Sequence, residues 1–396
     1  MGGAVELRPS VRSYAFDNAQ FSALRDKVGS GCLDPKANRL SQAPEPLTEA
    51  PVDLRPSAPG ADAVRARLTP KGEAAIKAGK VAILVLNGGM ATRFGGGAKG
   101  IVPVVPGHDD VSFLAIKLAE IKQRAQALGG AIPVVLMHSF ATEGPSEEHL
   151  AAIGWGGIPE ADRYAFSQSI MPRVLPDGTP LQDLPESTDL PPTALYSAPG
   201  HGDTLGRLRG SGVLAKLRAR GVEHILVSNV DNVGASLDPF VLGAHIEKAD
   251  QGAGISVEVV RRIEGDAGGC IAQLPSNGRP AIIEGFRLPE GTDLADYPHF
   301  NTNTLWLSTA AVDMDIPLTW FAVRKKIDWP EGGRPLTNGQ LEVVQFERLI
   351  GQATEFIESA YLDVDRDRRF LPIKTREDLA NAAGDMTRFA KEAGLL

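Results

Sequence analysis

The stretch ILVLNGGMATRFGGGAKGIVPV, residues 83 to 104, places six glycines directly behind a run that reads as a buried strand. A strand ending in Asn87-Gly88-Gly89, with more glycine at 95 to 97, lets main-chain N–H groups approach a planar or anionic ligand without a Cβ in the way. The ligand this predicts is a nucleotide. Arg93 and Lys99 stand in the same loop, beyond the carboxyl end of a parallel strand, where open α/β sheets hold their ligands. Both are therefore expected on phosphates, although two solvated cations on a flexible surface loop are the plain alternative. Two familiar phosphate loops do not fit. A P-loop needs G-x4-G-K-[ST], whereas Lys99 lies between Ala98 and Gly100. The G-x-G-x-x-G fingerprint must open a helix directly and be followed by an acidic residue, and the spacing here meets neither demand.

Outward from this loop the pattern alternates buried strands with amphipathic helices, which predicts an α/β fold with a mostly parallel, mixed sheet. Residues 81–86 read as a strand, 112–128 as a helix closed by Gly129, and 132–137 as the next strand. A second unit follows: a helix over 205–220, a strand over 224–230 and a helix over 238–249. Beyond it, 254–260 alternates with a period of two and Asn277-Gly278 marks a hairpin tip, so antiparallel strands are expected. Residues 303–308 read as a strand, 339–353 as a helix, and Thr375 with Asp378 as the start of a last helix. Residues 1–79, rich in proline and turn formers with helical patches at 18–28 and 61–76, read as an N-terminal extension wrapping the body. Residues 80–396 are expected to form the main domain.

The chain has 396 residues, 43% hydrophobic and 23% charged, which suits a folded globular protein. Its net charge of −8 argues against a general nucleic-acid binder, which needs basic surface to displace counterions. No signal-like N-terminus and no run of about 20 apolar residues is present, so a cytoplasmic protein without membrane contact is expected. Cys32 and Cys270 lie in no metal-binding or redox spacing and read as free thiols.

Three further stretches carry candidate chemistry. VSNVDNVGA (227–235) ends a strand in Asn229, Asp231 and Asn232; a lone carboxylate there can hold Mg²⁺ together with substrate phosphates, or simply close an Asx turn. APGHGD (198–203) sets His201 between glycines before a helix, a position for an anion, a base edge or a structural turn. Lys374, after the apolar FLPI, reads by itself as a surface lysine.

Taken in order, LNGGMATRFGGGAKG, FSQSIMPRV (166–174), APGHGD, SNVDNVGA, FNTNTLWLS (300–308) and FLPIK resemble the UTP:sugar-1-phosphate uridylyltransferase family, most closely its eukaryotic-like UDP-glucose pyrophosphorylases. The resemblance covers roughly residues 80 to 380. It implies a nucleotidyltransferase fold, glycosyltransferase-A-like and Rossmann-like, with a mixed sheet flanked by helices. It implies UTP and a sugar 1-phosphate, most simply glucose 1-phosphate, as substrates, with Mg²⁺ as cofactor. Asn87 and the main chain of Gly88, Gly89 and Gly200, with the Gln168 side chain, would hold the nucleotide base. Asp231 would bind the metal, Lys99, Arg93 and Lys374 the phosphates, and Asn232, Glu284 and Asn303 the sugar hydroxyls. His201 would lie near the nucleotide or bridging phosphate. The implied chemistry is in-line attack of a phosphate oxygen on the α-phosphorus, which requires no general base because the nucleophile is already an anion.

The chain departs from the family pattern at Arg93, where eukaryotic members often carry a small hydroxyl residue, at Ala98-Lys99-Gly100 in place of Pro-Lys-Ser, and at Thr304 in place of a second asparagine. Arg93 is similar to the arginine of bacterial sugar nucleotidyltransferases and of UDP-N-acetylhexosamine pyrophosphorylases. With 22 residues after Lys374, the family's C-terminal β-helix domain is not expected. Galactose or N-acetylglucosamine 1-phosphate, and a non-catalytic UTP or UDP-sugar sensor, stay open as alternatives. A NAD-dependent dehydrogenase is disfavoured by the missing fingerprint.

Overall fold

The computed structural model describes residues 5–33, 38–94, 96–266, 268–330, 336 and 339–396. Gly95, one of the loop glycines singled out above, lies outside them. A ten-stranded mixed sheet forms the centre. Across it run Val52–Asp53, Ser359–Asp363, Ile255–Arg261, His299–Ser308, His224–Asn229, Val81–Leu86, Val134–His138 and Arg163–Ser167, in that spatial order. The Val81–Leu86 strand is buried along its whole length and pairs in parallel with His224–Asn229 on one side and Val134–His138 on the other. A strand covered on both faces needs an unbroken apolar run, and VAILVL supplies it.

Of these eight strands one runs against the rest. His299–Ser308 pairs antiparallel with both Ile255–Arg261 and His224–Asn229, so its first residues, not its last, lie at the carboxyl edge of the parallel strands. That inversion is how Asn301 and Asn303 reach the same edge as the glycine loop. The hairpin Cys270–Gln273 with Pro280–Ile283 branches from it at Cys270–Phe300, and Gly278 turns its tip with φ +67°. The N-terminal region adds the helix Asn18–Gly29, the helix Ala61–Lys77 packed on Pro239–Asp250, and the short edge strand Val52–Asp53 beside Ser359–Asp363.

Two helix expectations are corrected. Residues 339–353 do not form a helix: Gln340–Glu347 is a strand paired with Phe321–Asp328, followed by a 3-10 turn over Ile350–Glu355. Val343, Phe346 and Ile350 imitate a helical spacing, but the adjacent valines favour extended backbone, and Val344 exchanges two main-chain hydrogen bonds with Val174. The expected helix over 205–220 is two, Thr204–Gly210 and Val213–Ala219, separated where Gly212 turns left-handed with φ +77°. A helix does begin after Thr375, whose hydroxyl and the Asp378 carboxylate form a reciprocal capping box, but it is the short Arg376–Asn381, and a separate helix Ala383–Glu392 follows it.

Candidate functional site

The loop after Val81–Leu86 is closed on itself. Met90 bridges Ala98, the Ala91 N–H donates to the Gly97 carbonyl, and the Lys99 N–H donates to the Gly89 carbonyl at 3.0 Å. Gly89 and Arg93 are exposed on its rim, with Arg93 on the single turn Thr92–Phe94. Closure of this kind presents the 88–89 main chain at one foot and Lys99 at the other.

Gly88 lies flat against Gln168. A Cβ on Gly88 would fall 2.2 Å from Gln168 Nε2, so any side chain there would displace the Gln168 amide. The Ser139 hydroxyl donates to the Gly88 carbonyl at 2.9 Å, and the Gln168 N–H to the His138 carbonyl at 2.9 Å, so both walls are fixed by the end of the Val134–His138 strand. Gln168 is 5% exposed, yet its Oε1 has no hydrogen-bond partner. A buried acceptor left without a donor costs about 1–3 kcal/mol, and a ligand N–H would relieve it.

Asn87 stands elsewhere than on the loop's binding face. It is fully buried, its Nδ2 reaches His138 Nδ1 at 3.1 Å and Ser146 Oγ at 2.9 Å, and it lies under the loop. Gly100 is glycine for this reason: a Cβ there would meet Asn87 Oδ1 at 2.1 Å. The side chain therefore supports the loop floor.

On the next strand over, Asp231 sits just past the carboxyl end of His224–Asn229. Its carboxylate is paired with the Lys99 ammonium, both side chains being about 15% exposed. Loop and strand end, 132 residues apart, thus meet. Asn303 joins them from the inverted strand. Between Glu258–Thr304 and Val259–Asn301 the register slips, Thr302 and Asn303 bulge out, and Asn303 takes φ +56°. Asparagine tolerates this left-handed conformation better than most residues, and a bulge re-aims a side chain. Here the re-aimed Nδ2 donates to Asn229 Oδ1 at 3.0 Å, two residues from Asp231.

Asn232 acts at a distance from open space. It is 2% exposed, its Nδ2 donates to the Arg369 carbonyl at 3.1 Å, and its Oδ1 accepts the Leu371 N–H at 3.0 Å. It also bridges Pro372 through the main chain. The amide is spent on clamping the segment that delivers Lys374, which is exposed two residues later. Arg376 of the same segment donates to the Phe94 carbonyl at 2.6 Å, tying it to the glycine loop.

The His201 turn packs on another strand end. Gly202 N–H donates to the Arg348 carbonyl at 2.8 Å, Arg348 N–H donates to Pro199, and the Ile350 N–H donates to His201 Nδ1 at 3.1 Å. With Nδ1 accepting, the ring proton is on Nε2. Burial pulls the imidazole down to about 4, so it is neutral at pH 7. Gly200 adopts φ +80° at the start of this turn. Glu284 ends the hairpin on the Phe300 side of the strand that carries Asn303; burial pushes its carboxyl up, opposed by Arg287.

Several working residues are silent in the motif reading. Asp203 accepts the Ser169 N–H at 2.6 Å and pairs with Arg348, so it locks the His201 turn to the Gln168 segment. Glu258 and Arg369 form a buried two-point ion pair beneath the Asp231 loop, and Trp306 Nε1 donates to the same carboxylate. The available signal was a charged residue flanked on both sides by valine inside a strand, as Glu258 is in ISVEVVR.

Asp231 offers one carboxylate to a metal, and among the described residues no group of three or more His, Cys, Asp or Glu could hold one unaided. Such a donor set fits Mg²⁺, which keeps water and takes most of its remaining ligands from substrate phosphates. Among the described residues no helix is long and apolar enough to cross a membrane.

Comparison with known proteins bears on the family and the fold. The model of the family described as UTP-glucose-1-phosphate uridylyltransferase matches residues 56–394. The UTP-glucose-1-phosphate uridylyltransferase of Saccharomyces cerevisiae is 31% identical over 318 residues, 78% of this chain and 60% of that protein. The chain thus spans about 60% of the length of that curated relative. Among solved structures, a variant of UDP-glucose pyrophosphorylase from Leishmania major in complex with UDP-glucose superposes with a TM-score of 0.68 and 26% identity, covering 90% of this chain and 73% of that one. The uridine diphosphate N-acetylglucosamine pyrophosphorylase of Trypanosoma brucei gives a TM-score of 0.74 at 18% identity, over 92% and 75% of the two chains, and so shares the fold.

Proposed function

Because the chain belongs to the UTP-glucose-1-phosphate uridylyltransferase family, we propose that it transfers a uridylyl group from UTP to a sugar 1-phosphate, glucose 1-phosphate first among them, releasing pyrophosphate. The observation that carries the reading is the meeting of Lys99 and Asp231. A cation from the glycine loop and a carboxylate from a separate strand end share one point at the carboxyl edge of the sheet, where a triphosphate and its metal would be held.

In this reading the uracil lies against the joint edge that Gly88 and Gln168 form. Its N3–H satisfies Gln168 Oε1, and the flat backbone at Gly88 and Gly89 accepts the ring edge and face. His201, neutral and protonated on Nε2, presents a donor without adding a charge that would pin the product. Asn303 faces the sugar side of the cleft, with Glu284 beyond it. Mg²⁺, held by Asp231 and the phosphates, would supply charge neutralisation and alignment.

The chain's own part is then positional and electrostatic. Lys99 exchanges Asp231 for phosphate oxygens of UTP, and Arg93 on the rim reaches the departing pyrophosphate. Lys374 holds the phosphate of the sugar close to the α-phosphorus. A sugar-phosphate oxygen attacks that phosphorus as the bond to the β-phosphate oxygen breaks, and the electron pair leaves on pyrophosphate. No proton need be removed from the nucleophile, so fixed cations aimed at the transferring and leaving groups provide the main stabilisation. The test is pyrophosphate release by the purified protein with Mg²⁺ and UTP across a panel of glucose, galactose and N-acetylglucosamine 1-phosphates. Release with glucose 1-phosphate above the others supports the reading; release with none of them removes it.

A further inference from the structure

The helix Phe113–Leu128 lays one face on the central sheet, and Phe113, Leu114, Ile116, Leu118 and Ile121 are buried there. Lys117 is buried among them, 6% exposed. Its Nζ donates to Ser228 Oγ at 3.1 Å and to the Ala235 carbonyl at 3.3 Å. These two acceptors are the two feet of one arch. Ser228 is the penultimate residue of the His224–Asn229 strand, Ala235 lies seven residues on, and Asn229, Asp231 and Asn232 lie between them.

The arch is also held from the side away from this helix, where Asn232 is clamped to Arg369 and Leu371 and Arg369 Nη1 donates to the Ser236 carbonyl at 2.9 Å. A cavity of about 600 Å³ opens between this helix and the C-terminal helix Ala383–Glu392, and Val233, Ala235 and Ser236 line it. Val233 and Ala235 are buried all the same, 4% and 3% exposed, and Lys117 adds two directed hydrogen bonds to that packing.

We infer that Lys117 is a positioning residue for the proposed uridylyl transfer, stapling both feet of the 228–235 arch so that Asp231 is held at the depth the metal requires. The inference rests on Asp231 being the metal carboxylate of the reaction proposed above. An ammonium in the core is costly, and a lysine whose only service were filling space would be better replaced by an apolar chain of equal length. Burial draws its ammonium down to about 8, in keeping with that cost.

Lys117→Met separates the roles, since it keeps the length and removes both hydrogen bonds. The expected protein unfolds at the parent's temperature or above it, yet exchanges the amides of residues 229–235 at least ~10-fold faster. Its turnover falls on the order of 10- to 100-fold, the size of effect that a misplaced group produces, and more Mg²⁺ is needed for half-maximal rate. Parental exchange at 229–235, or a turnover equal to the parent's, overturns the inference; so does a fall in unfolding temperature that accounts for the lost activity. Should Lys117→Met not fold, Ser228→Ala removes one acceptor alone and is held to the same two readings. A parent without pyrophosphate release defeats the functional proposal, while the exchange measurement still decides whether Lys117 holds the arch.

Discussion

Replacing Glu258 with glutamine should damage both stability and turnover, and the structure gives the size of the first effect. Glu258 is fully buried, and Arg369 is 5% exposed. Arg369 Nε meets one carboxylate oxygen at 2.9 Å, its Nη2 meets the other at 2.6 Å, and Trp306 Nε1 donates at 2.9 Å. Glutamine keeps the shape but leaves the guanidinium without its counter-charge, and breaking a buried pair from one side costs about 3–5 kcal/mol. With an unfolding entropy of about 2.1 cal/mol/K per residue, a chain of this length should lose roughly 4–6 °C in Tm. The Arg369 carbonyl also receives Asn232 Nδ2, so a displaced Arg369 loosens the segment leading to Lys374 and turnover should fall too. Calorimetric unfolding with parallel pyrophosphate assays measures both. Removing both charges, as Glu258→Met with Arg369→Leu, should cost less stability than Glu258→Gln alone, because no charge is then stranded. A Glu258→Gln protein melting within about 1 °C of the parent would refute the argument that this pair is a structural necessity.

Asp231→Asn should retain the fold and lose Mg²⁺-dependent turnover by about 10²–10³, the cost of removing one preorganised electrostatic group; equal activity at equal Mg²⁺ would defeat the assignment. Gly88→Ala places a methyl on Gln168 and should raise the KM for UTP while far-UV circular dichroism stays parental, whereas an unchanged KM would move the base elsewhere. Acid should weaken the fold through histidines held neutral by burial. His138 and His201 are drawn down to about 4 and His245 to about 3, so below the ordinary histidine value of about 6.5 the unfolded chain binds protons that the native one refuses. Their contribution is whole above pH 6.5 and is lost as pH falls toward 4, at up to about 1.4 kcal/mol per pH unit for each. A Tm that is flat between pH 6.5 and 4.5 would contradict this. Lys374→Ala should raise the KM for the sugar phosphate or lower turnover, and parental kinetics would remove it from the site.

Much of this architecture could be read before any coordinates because its governing patterns are local. VAILVL coincides with the central strand, Gly129 closes the helix before it, and Thr375 with Asp378 forms the cap it announces. The failures share a cause. Gln340–Glu347 is extended because the preceding strand Phe321–Asp328 pairs with it along its whole length and Val174 bridges its other side, and the pattern of 339–353 alone reveals neither partner. The candidate site divides likewise. Glycine loop and Asp231 lie at strand ends, where sequence order predicts ligand edges. Asn303 depends on a register slip against Glu258, and the inward commitment of Asn87 and Asn232 depends on their neighbours. A polar side chain beside a cleft looks the same in sequence whether it faces the ligand or supports the wall.

The two-residue strand Val52–Asp53 has a consequence out of proportion to its length. It occupies the outer rim of Ser359–Asp363, and the following Leu54 N–H donates to the Asp363 carbonyl at 2.8 Å while Arg55 pairs with the buried Asp363 carboxylate. A truncated protein starting after residue 55 would bare that rim. It would present unpaired main-chain groups to any other chain able to add a strand, and would leave Asp363 with fewer counter-charges. Trimming the proline-rich leader to obtain a neater crystallisation target would therefore trade a tidy terminus for self-association.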